Sequence, residues 1–440
     1  SRRSADELAF RLLKMGARYQ ERFTRIESVL LIENKVIDKH ELRASCSYGV
    51  PDGLRPLVWR LLLDYLPTER ANWPAHVKAQ RETYDGLVRQ MIVEPAREKP
   101  ADDHPLADPS DGPSSHWAGF FADNATLAQI DKDVRRLCPE IQFFQLTTRW
   151  PHREAVEVHL SGRVTGEELE SESFGVNKFG VAEFKSTTRK RADADYENSQ
   201  EAGAETHWQV AERILFIYAK LNPGVKYVQG MNEVLGPIYY VLASDPDDEW
   251  AEFAEADTFF CFQQLMSEIK DNFIKTLDDS QCGIEQSMSS FHSLLASWDP
   301  LLHDHMVAKL GVRPQFYAFR WLSLMLSQEF PLPDVIQLWD ALFADEKRFT
   351  LLPYVCLGMI ERVRDQLLRG DFADCIRLLQ NYPETDSQQL VIHAYALREG
   401  RAAPPAASRH DADGEGGGAA KRNFAEKLTD KLRSMNLMRK

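Results

Sequence analysis

Three segments of this 440-residue chain carry side chains whose types and spacing suit work on a ligand or partner. In Ile130-Asp131-Lys132-Asp133-Val134-Arg135-Arg136-Leu137 a helical reading buries Ile130, Val134 and Leu137. That sets Asp133 with Arg136 (i, i+3) on one flank and Asp131 with Arg135 (i, i+4) on the other. Periodicity does not choose between the two arginines, and two surface ion pairs worth little each are the ordinary outcome of such a pattern. In Gly224-Val225-Lys226-Tyr227-Val228-Gln229-Gly230-Met231-Asn232-Glu233 a Pro-Gly turn runs into an apolar helix. The Gln229 amide beside Gly230 can reach outward with little obstruction or cap its own helix. In Tyr48-Gly49-Val50-Pro51-Asp52-Gly53-Leu54-Arg55-Pro56-Leu57-Val58-Trp59 a tight Gly/Pro turn feeds a helix, with Trp59 as a core residue.

Other chemistry finds no residues to carry it. HExxH, GxSxG, P-loop and paired-carboxylate signatures are absent, so a self-contained hydrolase or kinase has no visible machinery. The six cysteines stand singly, with no CxxC and no histidine at metal-ligand spacing, which reads as reduced, buried thiols in the cytosol and no metal site. Lys plus Arg number 53 against 67 Asp plus Glu, a net charge of −14, which argues against nucleic acid as a partner. The longest apolar runs, such as 236–243 and 351–360, fall well short of the roughly 20 residues a bilayer crossing needs. The first residues, Ser1 to Glu7, lack the apolar core of a secretory signal.

The elements that must position these segments read as helices. Apolar residues recur at three- and four-residue steps along most of the chain, so the expected class is all-α. Residues 1–45 read as a helical extension, its stripe running through Leu8, Leu12, Met15, Tyr19, Phe23, Ile26 and Leu30, and packing onto the main body is the favoured reading over a separate recognition element. Residues 46–398 form one large domain, interrupted at 151–206 by an inserted loop with a short strand pair expected at 156–164. Residues 399–420 are a flexible linker by composition. In 421–440, Phe424, Leu428, Leu432, Met435 and Met438 share one helical face. Seven basic residues against Glu426 and Asp430 give this end +5, which leaves −19 for residues 1–420. Such a helix can fold back on its own domain, dock on a protein, or bind an anionic membrane weakly.

Taken together, the segments resemble the TBC family of Rab GTPase-activating proteins. GVPDGLRPLVW, with Gly49, Pro51, Arg55 and Trp59, is similar to the family's first motif. Ile130, Asp133 and Arg136 match its IxxDxxR motif, and Tyr227-Val228-Gln229 matches its YxQ motif. Arg320 and Trp321, then Glu329-Phe330-Pro331-Leu332 and Leu338-Trp339-Asp340, resemble its late helices, with Gln328 where many members have Arg. Finer likeness around 102–106 and 130–145 narrows it to one subgroup.

The resemblance implies a two-lobed helical domain that stimulates GTP hydrolysis by a Rab-family GTPase in its GTP form, and so regulates vesicle traffic. Arg136 would be the arginine finger and Gln229 the glutamine finger, supplied in trans. Asp133 would orient the guanidinium, Tyr227 would brace the loop, and Gly230 and Asn232 would shape it. Such a protein has no cofactor of its own and is not itself an enzyme, because the GTP and Mg²⁺ belong to the partner. It would be cytoplasmic, and peripheral on endomembranes if the tail engages one. The alternative is a Rab-binding adaptor or effector that keeps the fold without stimulating hydrolysis; the presence of both Arg136 and Gln229 favours the activator.

Overall fold

The computed structural model describes residues 20–30, 36–93, 116–155, 160–164, 204–273 and 283–405. Among these residues the secondary structure is helical, and the only extended pairings are two isolated antiparallel bridges, Val36 with Glu69 and Thr147 with Thr206. Leu8 to Tyr19 and the basic segment 421–440 lie outside the described residues.

Helix α1 covers 20–30 and α2 Lys39–Cys46, and α3 (Arg55–Leu62) and α4 (Trp73–Val88) follow. Next come α5 (His116–Val134), α6 (His207–Leu221), α7 (Met231–Ala243), the short α8 (Asp248–Ala251) and α9 (Ala254–Ile269). Then follow α10 (Ile284–Trp298), α11 (Pro300–His303), α12 (Ala318–Ser323), α13 (Leu332–Ala344), α14 (Leu352–Arg362), α15 (Arg364–Arg369), α16 (Phe372–Gln380) and α17 (Ser387–Arg398). Polar caps start several of them: Asp38 accepts from the His40 and Glu41 amides, and Asp371 and Asp386 cap α16 and α17 in the same way. The folded unit runs on to Ala403, because the Arg401 and Ala402 amides donate to the Ala396 carbonyl and close the end of α17.

Two groups of helices share the core. Helices α4, α6, α7 and α9 pack on one another with α5 against α6, and α10, α12, α14 and α17 form the second group. Helix α13 joins them, touching α17 on one side and α2, α3 and α7 on the other. Ile26, Val29 and Leu30 of α1 are buried in the same core.

The inserted loop is pinched at its base. The Thr148 amide donates to the Glu205 carbonyl (2.8 Å) and the His207 amide to the Leu146 carbonyl (3.0 Å), while Thr206 and Gln209 make a capping box that starts α6. The strand pair expected at 156–164 does not form where it is described: Leu160–Arg163 is a 3-10 turn, closed by the Val164 amide on the Ser161 carbonyl. The turn formers Ser161 and Gly162 prevail there because Leu160 is buried and no neighbouring strand edge is present among the described residues.

Candidate functional site

Helix α5 ends at Val134, and Cys138, with φ of +43°, turns the chain away two residues after Arg136. Ile130, Val134 and Leu137 are buried, and Leu137 presses on α7 at Gly236, where an added Cβ would sit 3.0 Å from a leucine methyl. The two flanking pairs form as the helical spacing predicts, but they are not ordinary surface pairs. Asp131 and Asp133 are both buried by the helices packed against α5, while the side chains of Arg135 and Arg136 remain 44% and 45% exposed.

The two arginines differ in what holds them. Arg135 Nε donates to Asp131 Oδ2 (2.8 Å), and its guanidinium lies 4.4 Å from the ring centre of Trp208, the second residue of α6. Arg136 Nη2 donates to Asp133 Oδ1 (2.5 Å) and makes no other hydrogen bond among the described residues. Asp133 Oδ2 accepts from the buried Tyr227 hydroxyl (2.7 Å). That hydroxyl lies 3.3 Å from Asn232 Oδ1, and Asn232 Nδ2 donates back to the Asp133 carbonyl (3.4 Å) and to Glu233 Oε1 (3.2 Å). One buried carboxylate thus ties the end of α5 to the loop before α7. Burial pushes the Asp133 carboxyl up, and the donated hydrogen bonds from Tyr227 and Arg136 work against that shift. Burial and the adjacent Asp133 hold the Tyr227 phenol well above its usual range, so the hydroxyl stays neutral and donates.

The loop between α6 and α7 is folded by the Val225 and Lys226 amides, which both donate to the Asn222 carbonyl, with Lys226 at φ +60°. It ends at Gly230, at φ +103°, where a Cβ would meet Leu324 at 2.8 Å; both the conformation and the close approach require glycine. Gln229 is half-buried, next to that glycine and two residues beyond Tyr227. Its amide does not cap α7 and makes no hydrogen bond among the described residues.

The first and last motif residues meet elsewhere, around Asp340 of α13. Its buried carboxylate accepts from the Val50 amide (2.8 Å), Arg55 Nε (3.1 Å) and Trp59 Nε1 (2.7 Å), in the turn shaped by Gly49 and Pro51. Arg55 also donates to Asp52 and to the Val50 carbonyl. The Trp59 and Trp339 rings stack with centres 6.2 Å apart. Burial pushes Asp340 up to about 6 against the pull of Arg55, so it is ionised at neutral pH. Arg320 grips Glu329 with two bonds (2.5 and 2.8 Å) and the Gln380 carbonyl with a third (2.9 Å), and Trp321 is fully buried beside it.

Sequence reasoning missed two buried ion clusters that brace the first group of helices. Arg60 bonds Asp245 (2.6 Å) and Asp257 (2.9 Å), and Asp257 also takes Arg81 and the Tyr65 hydroxyl. Arg213 bonds Glu205 and Glu255, and Glu255 also takes the Tyr84 hydroxyl (2.6 Å). The available signal was an arginine within an apolar helix, as in Val58-Trp59-Arg60-Leu61-Leu62, which calls for a buried acid elsewhere. Among the described residues no three His, Cys, Asp or Glu side chains gather into a metal site, and no helix is long and apolar enough to cross a membrane.

Comparison with known proteins gives this arrangement its class. The crystal structure of the Ypt/Rab-GAP domain of Gyp1p superposes with a TM-score of 0.60 at 22% identity, covering 87% of this chain and 99% of that one, which establishes the same helical fold. The Rab-GTPase-TBC domain profile matches residues 190–368, a span that holds Tyr227 and Gln229 but begins after Arg136. TBC1 domain family member 13 of Homo sapiens is 46% identical over 407 residues, 88% of this chain and 100% of that protein. A TBC domain-containing protein of Schizosaccharomyces pombe is 34% identical over 462 residues, 86% of this chain and 73% of that one. The chain belongs to the TBC family of Rab-GTPase-TBC domain proteins and is similar to member thirteen along most of its length.

Proposed function

We propose that this protein is a GTPase activator for a Rab-family small GTPase in its GTP form, acting in the cytoplasm on vesicle traffic. The observation that carries the reading is the shared carboxylate of Asp133, which bonds Arg136 from one motif and Tyr227 from the other. In GTP hydrolysis negative charge shifts onto the γ-phosphate and bridging oxygens, and a planar guanidinium can meet several of them at once. Among the described residues Arg136 is held through one nitrogen, so its remaining donors can meet those oxygens. An arginine supplied in trans this way accelerates hydrolysis by about 10³–10⁵, or roughly 4–7 kcal/mol of barrier. Prior orientation by Asp133 lowers the ordering cost of the encounter. Arg135 is the weaker candidate, because Asp131 and Trp208 already hold its guanidinium.

Gln229 serves as the second finger. An amide is too weak a base to take a proton, but it can accept from and donate to the attacking water and hold it in line with the γ-phosphate. The amide makes no hydrogen bond among the described residues, and its loop is braced by Tyr227 through Asp133. The GTP and Mg²⁺ are the partner's, and the protein brings side chains alone.

Single-turnover hydrolysis across a panel of purified GTP-loaded Rab GTPases tests the reading. At least one should be stimulated strongly, and Gln229→Ala should lower that rate at least about tenfold. A GTPase that binds in its GTP form without any acceleration would make the protein an adaptor. An active Gln229→Ala protein that depends on the GTPase's own glutamine would remove the second finger.

A further inference from the structure

The residues behind the finger contain a pair of acids that the proposed chemistry does not use. Glu212 of α6 and Asp131 of α5 are both buried where the two helices pack together, and Asp131 acts on the Glu212 carboxyl through both its charge and a hydrogen bond. Each has one oxygen, Glu212 Oε1 and Asp131 Oδ1, that is shut off from solvent and has no partner of opposite hydrogen-bonding character. Two ionised carboxylates in that setting would repel and leave both oxygens unsatisfied, whereas one proton between them satisfies both.

The surroundings decide which acid keeps the charge. Asp131 Oδ2 accepts from Arg135 Nε, which favours its ionised form. The charged neighbour of Glu212 on its own helix, Arg213, directs its guanidinium to Glu205 and Glu255. Burial first, and then Asp131, push the Glu212 carboxyl well above its usual range, and the opposing charges of Arg135 and Arg213 do not cancel that rise.

This pair anchors the residue next to Arg136. Arg135 is gripped by Asp131, stacked on Trp208, and held at its carbonyl by Gln145 Nε2 (3.1 Å). The peptide unit joining Arg135 to Arg136 is thereby fixed from both its side-chain and main-chain sides. We infer that Glu212 is a positioning residue for the finger: as a neutral acid it donates to Asp131, which holds Arg135 against Trp208 and so sets the backbone from which Arg136 projects. The inference rests on the reading of Arg136 as the finger.

The test compares Glu212→Gln, Glu212→Leu and Arg135→Ala with the wild-type chain, using the Rab GTPase the wild type stimulates most in the panel. Maximal rate and half-saturating concentration are read separately. Glu212→Leu and Arg135→Ala should lose about tenfold in maximal rate with half-saturation little changed, as expected when a reactive group is loosened and not removed. Glu212→Gln, whose NH₂ replaces the acid proton, should keep the wild-type rate. The positioning role is overturned if Arg135→Ala acts only on half-saturation, which would make Arg135 a direct partner contact, or if Glu212→Leu is fully active. It is also overturned if Glu212→Gln is as damaged as Glu212→Leu. Should Glu212→Leu fail to fold, the half-exposed Arg135→Ala still decides. Infrared spectra at neutral pH read the bridge without any GTPase: a protonated carboxyl band should be present in the wild type and absent from Glu212→Gln. A wild type that stimulates no GTPase overturns the finger reading and the positioning role with it, while the band still decides the bridge.

Discussion

Asp133 and Asp340 are built alike and do different things. Each is a buried aspartate that accepts from an arginine and from an aromatic side chain, Arg136 and Tyr227 in one case, Arg55 and Trp59 in the other. The difference lies in the arginine. Arg55 is 10% exposed and has all three of its nitrogens engaged, on Asp340, Asp52 and the Val50 carbonyl. Arg136 is 45% exposed and engages one nitrogen. A guanidinium with all three nitrogens engaged fastens two distant pieces of chain; one with a single nitrogen engaged is aimed but still available. On this view the acid–arginine–aromatic unit does not by itself mark a site of chemistry, and the unengaged donors do.

The largest effect that would break this contrast is at Arg136. Arg136→Lys keeps the charge and loses the fork, so stimulated hydrolysis should fall about 10³-fold with the melting temperature little changed, since the side chain is half-exposed and lysine leaves a cation beside the buried Asp133. A single-turnover rate equal to wild type would remove Arg136 from the role of finger. Arg55→Ala should do the reverse. Leaving Asp340 buried without its cation should cost about 3 kcal/mol or more in urea unfolding, with the maximal stimulated rate per folded molecule retained. The sign of its pH dependence follows from Asp340, already raised to about 6 in the intact protein. Without Arg55 it rises further, so the folded state binds a proton that the unfolded chain releases. The stability deficit should therefore shrink as pH falls toward 5 and grow as pH rises through neutrality.

What could be read from the sequence divides along the same line. The pairing of Asp133 with Arg136 and of Asp131 with Arg135 is local, set by helical spacing, and both pairs form. Helical spacing did not record that the acids would be buried, since a period reports which face is covered and not what covers it. Preference for Arg136 over Arg135 came from likeness to a family; its physical counterpart, Trp208 under Arg135, comes from another helix. The Asp340 contacts span 285 residues to Arg55 and the Arg60 contacts 185 and 197, while Arg213 reaches Glu255 42 residues on and Glu212 meets Asp131 from another helix, so helical spacing does not announce those contacts. In the described part of 156–164 a 3-10 turn stands in place of the expected strand, because local propensity was read without a neighbouring edge for a strand to join.

The smallest effect should come from the aromatic donor on the finger side, and it is the most discriminating. Tyr227→Phe removes one hydrogen bond from the Asp133 carboxylate and leaves the Arg136–Asp133 bond in place. Near pH 7.5 the stimulated rate should fall less than about tenfold, because the guanidinium is still held. At lower pH the loss should grow. Burial already pushes the Asp133 carboxyl up, and the Tyr227 hydrogen bond is the first of the influences that pull it down. Without that donor the carboxyl takes up a proton at a higher pH, and a neutral acid no longer orients the guanidinium. The acid limb of the rate profile should therefore move to higher pH relative to wild type measured on the same GTPase. Trp59→Phe, the corresponding change at Asp340, should lower stability and leave that limb where it was. An acid limb unmoved in Tyr227→Phe would mean that Asp133 does not govern the finger, and the likeness between the two aspartates would then be structural alone.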